Sequence, residues 1–450
     1  MNITNGYGRS HQILFSLLGS DRNRPASHPV VTRKDTLILR AFNRQSKYNG
    51  FYKKSLSRVG DPELLNMSPC FIERMSGLTF GHDQGMHPLK AADNNTWIIK
   101  RQTATDAPNY FVTNDFKTYQ ALTNLQPQKR YNWLTAALVS FKQLDGTMSQ
   151  GILYKPENFD PTKKYPVIIS FYWYLSDQLY LYPTPEYMDA PDLFSSPSWM
   201  VSHGYLVFTP DIYFTKGKWG PGTVNTMEGA ARWLRQLPYV DGKHIGAVGH
   251  SNSGRFGYYL LTHSHSFAAM SLGSGLCGTD IISASLSLEL PIGASMEKSL
   301  LDWGEVSALG AGGLGSLWQN KELWLDHTAV LHADKVSSPL LLFHNKRDGD
   351  DVRLAVELFV SLRRLEKKAW WLQYDNGSHR LGELNDLRDF TIRYTQFFDH
   401  YLKDAQPPRW MTEGLPFKLK GVEDRYELDS NGNCGNQCQA CQADKLGKPK

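Results

Sequence analysis

The stretch Ile245-Gly-Ala-Val-Gly-His-Ser-Asn-Ser-Gly254 constrains this 450-residue chain more than any other. Its first half is a short apolar run of strand type. Its second half, Gly249-His250-Ser251-Asn252-Ser253-Gly254, opens directly onto a helix-patterned segment over residues 253–262. A strand that turns sharply into a helix around a serine is the setting of the G-x-S-x-G turn. There the serine adopts a strained backbone conformation and lifts its hydroxyl above the end of a sheet, which requires small neighbours. Gly249 meets the first requirement. At the second, Ser253 stands where glycine is usual and Gly254 follows one step later; serine is small enough to be tolerated. Ser251 is therefore the candidate nucleophile.

Such a turn needs a sheet with strands ending in register beneath it, and the surrounding pattern supplies one. A hairpin over 138–144 and 151–154, turning at Asp145-Gly146, precedes strand-type runs at 166–172, 205–209, 244–249, 267–272, 339–343 and 369–374. Between them lie helix-type segments at 223–237, 253–262, 354–365 and 385–402, with helical material up to Leu325; Met227, Ala230, Ala231 and Leu234 show the helical spacing. This alternation predicts an α/β fold with a doubly wound, mostly parallel sheet. Residues 1 to 130 have a different grammar. Short β segments at 36–42, 96–101 and 109–113 are separated by turn residues, which predicts all-β structure such as propeller blades or a sandwich. From residue 413 the chain is polar and reads as a loosely packed tail.

A nucleophilic serine needs a base, and the base needs an orienting acid. On this type of sheet the order is serine, acid, histidine, each after a later strand. Asp348 follows the run 339–343, and His379 follows the run 369–374. Asp350 and Asp351 share the first loop, and spacing does not separate them from Asp348. His250 adjoins Ser251 but is expected to point away along the turn. The oxyanion of an attacked carbonyl needs two donors. One is the backbone N–H of Asn252; the other is expected near the end of the run 166–172, where Tyr172 taken alone reads as a core aromatic.

Other features narrow the partners. Forty-nine basic against 44 acidic residues leave a net charge of +5, and no Lys/Arg block is dense enough for a nucleic-acid footprint. No apolar run reaches membrane-spanning length, and residues 13–18 lack the length and cleavage site of a signal peptide. Gly310 to Gly315 spells G-x-G-x-x-G but follows helix-type sequence, so it reads as a surface connection instead of a dinucleotide loop. Cys434, Cys438 and Cys441 have the spacing of a cluster-binding triplet; in a polar tail without a partner domain they read as incidental or disulfide-linked. No cofactor or metal is needed for the chemistry of the serine.

Taken together, YNWL at 131–134, QGILYKPENFDPTKKYP at 150–166, Asp211-Ile212-Tyr213, Gly249 to Gly254, PLLLFHNKRDG at 339–349, Gly377 to His379 and FFDHYL at 397–402 resemble the catalytic domain of the prolyl oligopeptidase family of serine peptidases, the group that includes dipeptidyl peptidase IV. The likeness runs from about residue 131 to 415. It implies an α/β-hydrolase domain over 131–412 with Ser251 as nucleophile, Asp348 as acid and His379 as base. Tyr172 aligns with the tyrosine that completes the family's oxyanion hole, beside Asn252. The resemblance further implies that residues 1–130 are the last blades of a gating β-propeller whose first half is absent from this chain. At about 40–45 residues per blade they would make close to three. A Cys-containing tail would follow over 413–450. The chain departs from the family at Ser253, where a second glycine is usual, and at Asn252, where dipeptidyl peptidases often carry an aromatic. Neither the tyrosines of the proline pocket nor the glutamates that grip a free amino terminus are evident. The expected activity is hydrolysis of peptide substrates. An esterase of the same fold and a non-catalytic binding relative are the alternatives. Homo-oligomer formation is left open, and a periplasmic or secreted location is implied by the resemblance alone.

Overall fold

β-Branched and aromatic side chains at strand spacing build the described residues up to Ala121 into two antiparallel meanders. The computed structural model describes residues 3–18, 31–73, 85–193, 197–213, 218–275, 314, 318–348 and 352–430. The first meander is β1 (Ile13–Leu17), β2 (Thr36–Asn43), β3 (Asn49–Ser55) and β4 (Glu63–Ser68), paired in chain order. The second is β5 (Leu89–Lys90), β6 (Trp97–Arg101), β7 (Asn109–Thr113) and β8 (Gln120–Ala121). One apolar cluster joins them: Phe51 of the first meets Phe116 of the second with ring centroids 4.6 Å apart, beside buried Ile72 and Ile99. Propeller blades are four-stranded sheets of this kind.

The remainder winds around one eight-stranded sheet. Its strands are β9 (Leu134–Lys142), β10 (Met148–Pro156), β11 (Tyr165–Ser170), β12 (Leu206–Pro210), β13 (Val240–His250), β14 (Ala269–Gly273), β15 (Leu340–Phe343) and β16 (Ala369–Leu372). The spatial order is β16-β15-β14-β13-β11-β12-β10-β9. The β9–β10 hairpin and the β10–β12 pair are antiparallel, and every other neighbouring pair is parallel. β12 is buried along its whole length, as expected for a strand covered on both faces. The helices Trp219–Arg235, Asn252–His263 and Val352–Arg364 bury one apolar layer, and Pro197–Ser202 with Leu384–Leu402 bury the other. In the last helix Phe390, Tyr394, Phe397 and Phe398 follow the helical stripe and are fully buried; each such ring stabilises the fold by roughly 1.5–3 kcal/mol. This α/β-hydrolase sheet with all-β meanders before it is the expected fold class.

Residues 413–430 are not a loose extension. Tyr426 packs against the second apolar layer, its hydroxyl donates to Asp389 Oδ1 at 2.5 Å, and the Arg393 guanidinium lies 5.0 Å from its ring centre. Backbone bonds add to this contact: Arg409 N–H donates to Glu427 O at 2.8 Å and Asp429 N–H donates to Pro407 O at 2.7 Å. Residues 310–315 and the three tail cysteines lie outside the described residues, apart from buried Leu314. Among the described residues no helix is long and apolar enough to cross a membrane.

Candidate active site

Ser251 sits between the end of β13 and the helix Asn252–His263 at φ 61°, ψ −124°, a region that costs a non-glycine residue about 1–3 kcal/mol. The surrounding backbone holds it there. Ser251 N–H donates to Gly273 O at 3.0 Å, and Arg255 N–H donates to Ser251 O at 3.0 Å. A Cβ on Gly249 would stand 2.5 Å from Ser253 O, and one on Gly254 would stand 2.2 Å from Gly273 O. The tight approach to the neighbouring strand thus falls on Gly254, which frees position 253 for serine. Ser253 uses that freedom: its hydroxyl donates to His250 O and accepts from His250 N–H, both at 2.8 Å, closing the turn from within.

The loops after β15 and β16 meet at the same edge of the sheet. His379 Nδ1 lies 2.9 Å from Asp348 Oδ1. Asn345 laces the two loops together, donating from Nδ2 to Ser378 O at 2.9 Å and accepting from Tyr374 N–H at 3.2 Å. Arg347 N–H donates to Gly377 O at 3.1 Å. A Cβ on Gly377 would come within 2.6 Å of the Asn345 amide, so this packing requires glycine there. Next to His379, Arg380 forks onto Asp189, at 2.8 Å, and Asp192. Burial by itself would raise the Asp348 carboxyl, but the His379 hydrogen bond and the nearby imidazoles hold it below the ordinary carboxylate range. The rivals Asp350 and Asp351 fall outside the described residues.

His250 is 1% exposed, and its ring centroid lies 4.6 Å from that of His379. It points toward the His379 loop instead of away along the turn. Burial, followed by the Arg380 charge, holds its pKa well below the ordinary histidine value, so it packs as a neutral ring. His344 is a second buried imidazole, with Nε2 3.7 Å from Asp348 Oδ2.

Tyr172 follows β11 and is 5% exposed; its hydroxyl lies 3.5 Å from Asn252 Nδ2. The loop that carries it is braced from two sides. Asp211 accepts from Ser176 N–H at 2.8 Å, Ser176 Oγ at 2.6 Å and Gln150 Nε2 at 3.0 Å. Burial pushes its carboxyl up to about 6 despite the Ser176 donors. From the first meander, Lys47 Nζ reaches Asp177 Oδ1 at 2.9 Å, and from the second, just after β6, Gln102 Oε1 accepts from Tyr182 N–H at 2.9 Å. The structure therefore brings Asp348 to His379 and Tyr172 to Asn252; Ser251 stands in the chain between His250, whose ring meets that of His379, and Asn252. Arg380 and Lys47 are supporting residues that sequence reading missed; Asp211 and Asn345 stand inside stretches that carry the resemblance, but their bracing roles are not read there.

No family model matches the chain. Its sequence is 26% identical over 403 residues to dipeptidyl-peptidase 5 of Porphyromonas gingivalis, covering 77% of this chain and 54% of that protein. It is 22% identical over 295 residues to the uncharacterized peptidase YuxL of Bacillus subtilis, covering 59% of this chain and 39% of that protein. The chain thus spans about half the length, or less, of these curated relatives. Its fold is similar to that of the Pyrococcus horikoshii acylaminoacyl peptidase, with a TM-score of 0.57 at 16% identity over 82% of this chain and 55% of the other. The resemblance to prolyl oligopeptidase-family peptidases that the sequence motifs carry is borne out by these relatives.

Proposed function

We propose that this chain hydrolyses peptide bonds as a serine peptidase, with residues 131–412 as the catalytic domain and residues 1–130 as propeller blades beside it. The observation that carries this reading is the 2.9 Å contact of His379 Nδ1 with Asp348 at the sheet edge where Ser251 holds its strained turn. With Nδ1–H committed to an ionised carboxylate, the lone pair of His379 is on Nε2, the nitrogen a base must offer. Ser251 Oγ attacks the peptide carbonyl while Nε2 takes its proton. The oxyanion is met by the Asn252 N–H and the Tyr172 hydroxyl. His379 then returns the proton to the leaving amine, and water, activated by the same nitrogen, releases the acyl group. Peptides are the favoured substrate class over simple esters because the curated relatives are named peptidases.

A panel of peptide amides and short acyl esters tests this reading. Turnover of peptide amides is expected at rates of enzymatic order, about 1 s⁻¹ or more. Hydrolysis confined to esters would refute the peptidase reading while keeping the hydrolase. Tyr172→Phe is expected to lower kcat about 10²–10³-fold, as for loss of one oxyanion donor, with KM changed less than about threefold. An unchanged kcat would remove Tyr172 from the oxyanion site.

A further inference from the structure

The helix that begins beside Ser251 ends at His263, and that end meets two other chemistry-bearing side chains. Asp326 closes the helix Lys321–Asp326. His332 lies in the 3₁₀ segment Ala329–Lys335 at the point where the backbone leaves helical geometry, φ −118°, ψ 17°. One ligand atom from each of the three residues lies within 4.8 Å of the others. His263 Nε2 is 3.4 Å from Asp326 Oδ1, and the His263 and His332 rings meet edge to face with centroids 5.3 Å apart.

The supporting contacts orient these groups for a ligand. His263 Nδ1 is 3.0 Å from the Tyr259 carbonyl oxygen; donating there leaves the Nε2 lone pair facing Asp326. The Tyr259 hydroxyl donates to Asp326 Oδ2 at 3.0 Å, which turns Oδ1 toward the histidines. The same tyrosine ring stacks on His263 at 3.9 Å. An imidazole N–H on a backbone carbonyl and a hydrogen-bonded carboxylate are what metal sites use to fix tautomer and direction. His332 Nε2 is buried and has no hydrogen-bond partner among the described residues. The opposing contact is the Lys335 ammonium, 3.4 Å from His332 Nδ1, a flexible group that must swing out for Nδ1 to hold the ring proton.

We infer that His263, Asp326 and His332 form a binding site for a divalent transition-metal ion, Zn²⁺ above all, that ties the far end of the nucleophile helix to the segment 321–335. Two neutral imidazoles and one carboxylate suit zinc and disfavour Mg²⁺ or Ca²⁺, which take oxygen ligands. The Asp326 side chain is 43% exposed, which leaves an entry path and room for a water as fourth ligand. His263 stands twelve positions after Ser251 along this helix, about 18 Å at 1.5 Å per residue. The ion is therefore structural or regulatory and takes no part in bond cleavage. The inference is independent of the peptidase reading.

The test uses the full chain, stripped with chelator and titrated with ZnCl₂ by calorimetry, with the melting temperature followed in parallel. One ion per chain should bind with micromolar or tighter affinity, and saturating Zn²⁺ should raise the melting temperature by several degrees. His332→Ala and, separately, Asp326→Asn should each weaken binding at least about tenfold; circular dichroism of the metal-free variants must match wild type. A variant with Cys434, Cys438 and Cys441 all replaced by serine should bind as wild type does. Absence of binding would overturn the site, as would stoichiometric binding that survives His332→Ala or disappears with the cysteines.

Discussion

Ser251→Ala is expected to abolish covalent labelling by a fluorophosphonate probe and to lower peptide hydrolysis by about 10⁴–10⁶-fold, with the protein still folded. The size of the effect follows from the role: no other atom at the turn replaces the lost Oγ, and what remains is binding plus the oxyanion donors. Folding is expected to survive because Gly249, Gly254 and Ser253 hold the turn. The strain at φ 61° gives an internal control. Ser251→Gly removes the side chain that makes this conformation costly and should raise unfolding free energy by about 1 kcal/mol while being as inactive as Ser251→Ala. Denaturant unfolding with activity on the same samples reads both. A folded wild type that the probe leaves unlabelled would refute the nucleophile, and so would a Ser251→Ala variant that labels normally.

What sequence carried about this site was what lies close along the chain or repeats with a period. Strand and helix periodicity set the alternation of the sheet, and Ser251, Asp348 and His379 each stand within a few residues of a recognisable strand end. The supports do not. Lys47 finds Asp177 across 130 positions, and Arg380 finds Asp189 across 191. Asn345 and Gly377 fit one another only because two parallel strands end side by side. Such pairs leave no period, and each member is an ordinary polar or small residue until the fold places its partner. His250 shows the same limit at short range. Its neighbour in sequence suggested a side chain turned away, yet the buried face of the turn holds the ring against His379. At Tyr172 local pattern and resemblance differ: an apolar strand end reads as core, whereas likeness to a family assigns its hydroxyl to the oxyanion site.

The second large effect is expected at Asp348, which contacts His379. Asp348→Asn keeps the shape of the side chain and is expected to keep the fold, since Asn345, Arg347 and Gly377 hold the two loops together without it. It is nonetheless expected to lower kcat by about 10⁴-fold. The carboxylate can only accept, so His379 Nδ1 must carry the proton and Nε2 the lone pair. An asparagine amide that presents its NH₂ reverses this and puts the ring proton on Nε2, the nitrogen that the proposed base must keep free. Under the proposed mechanism the imidazolium formed during attack also loses the carboxylate charge that stands 2.9 Å from its Nδ1. A merely structural role for Asp348 predicts the opposite pattern, with a fall in melting temperature and activity recovered on cooling. Steady-state kinetics with the melting temperature therefore separates the two, a large kcat loss at nearly constant KM and stability being the expected result. If kcat falls less than about tenfold, the orienting acid lies elsewhere in the loop, and Asp350 and Asp351 become the residues to replace.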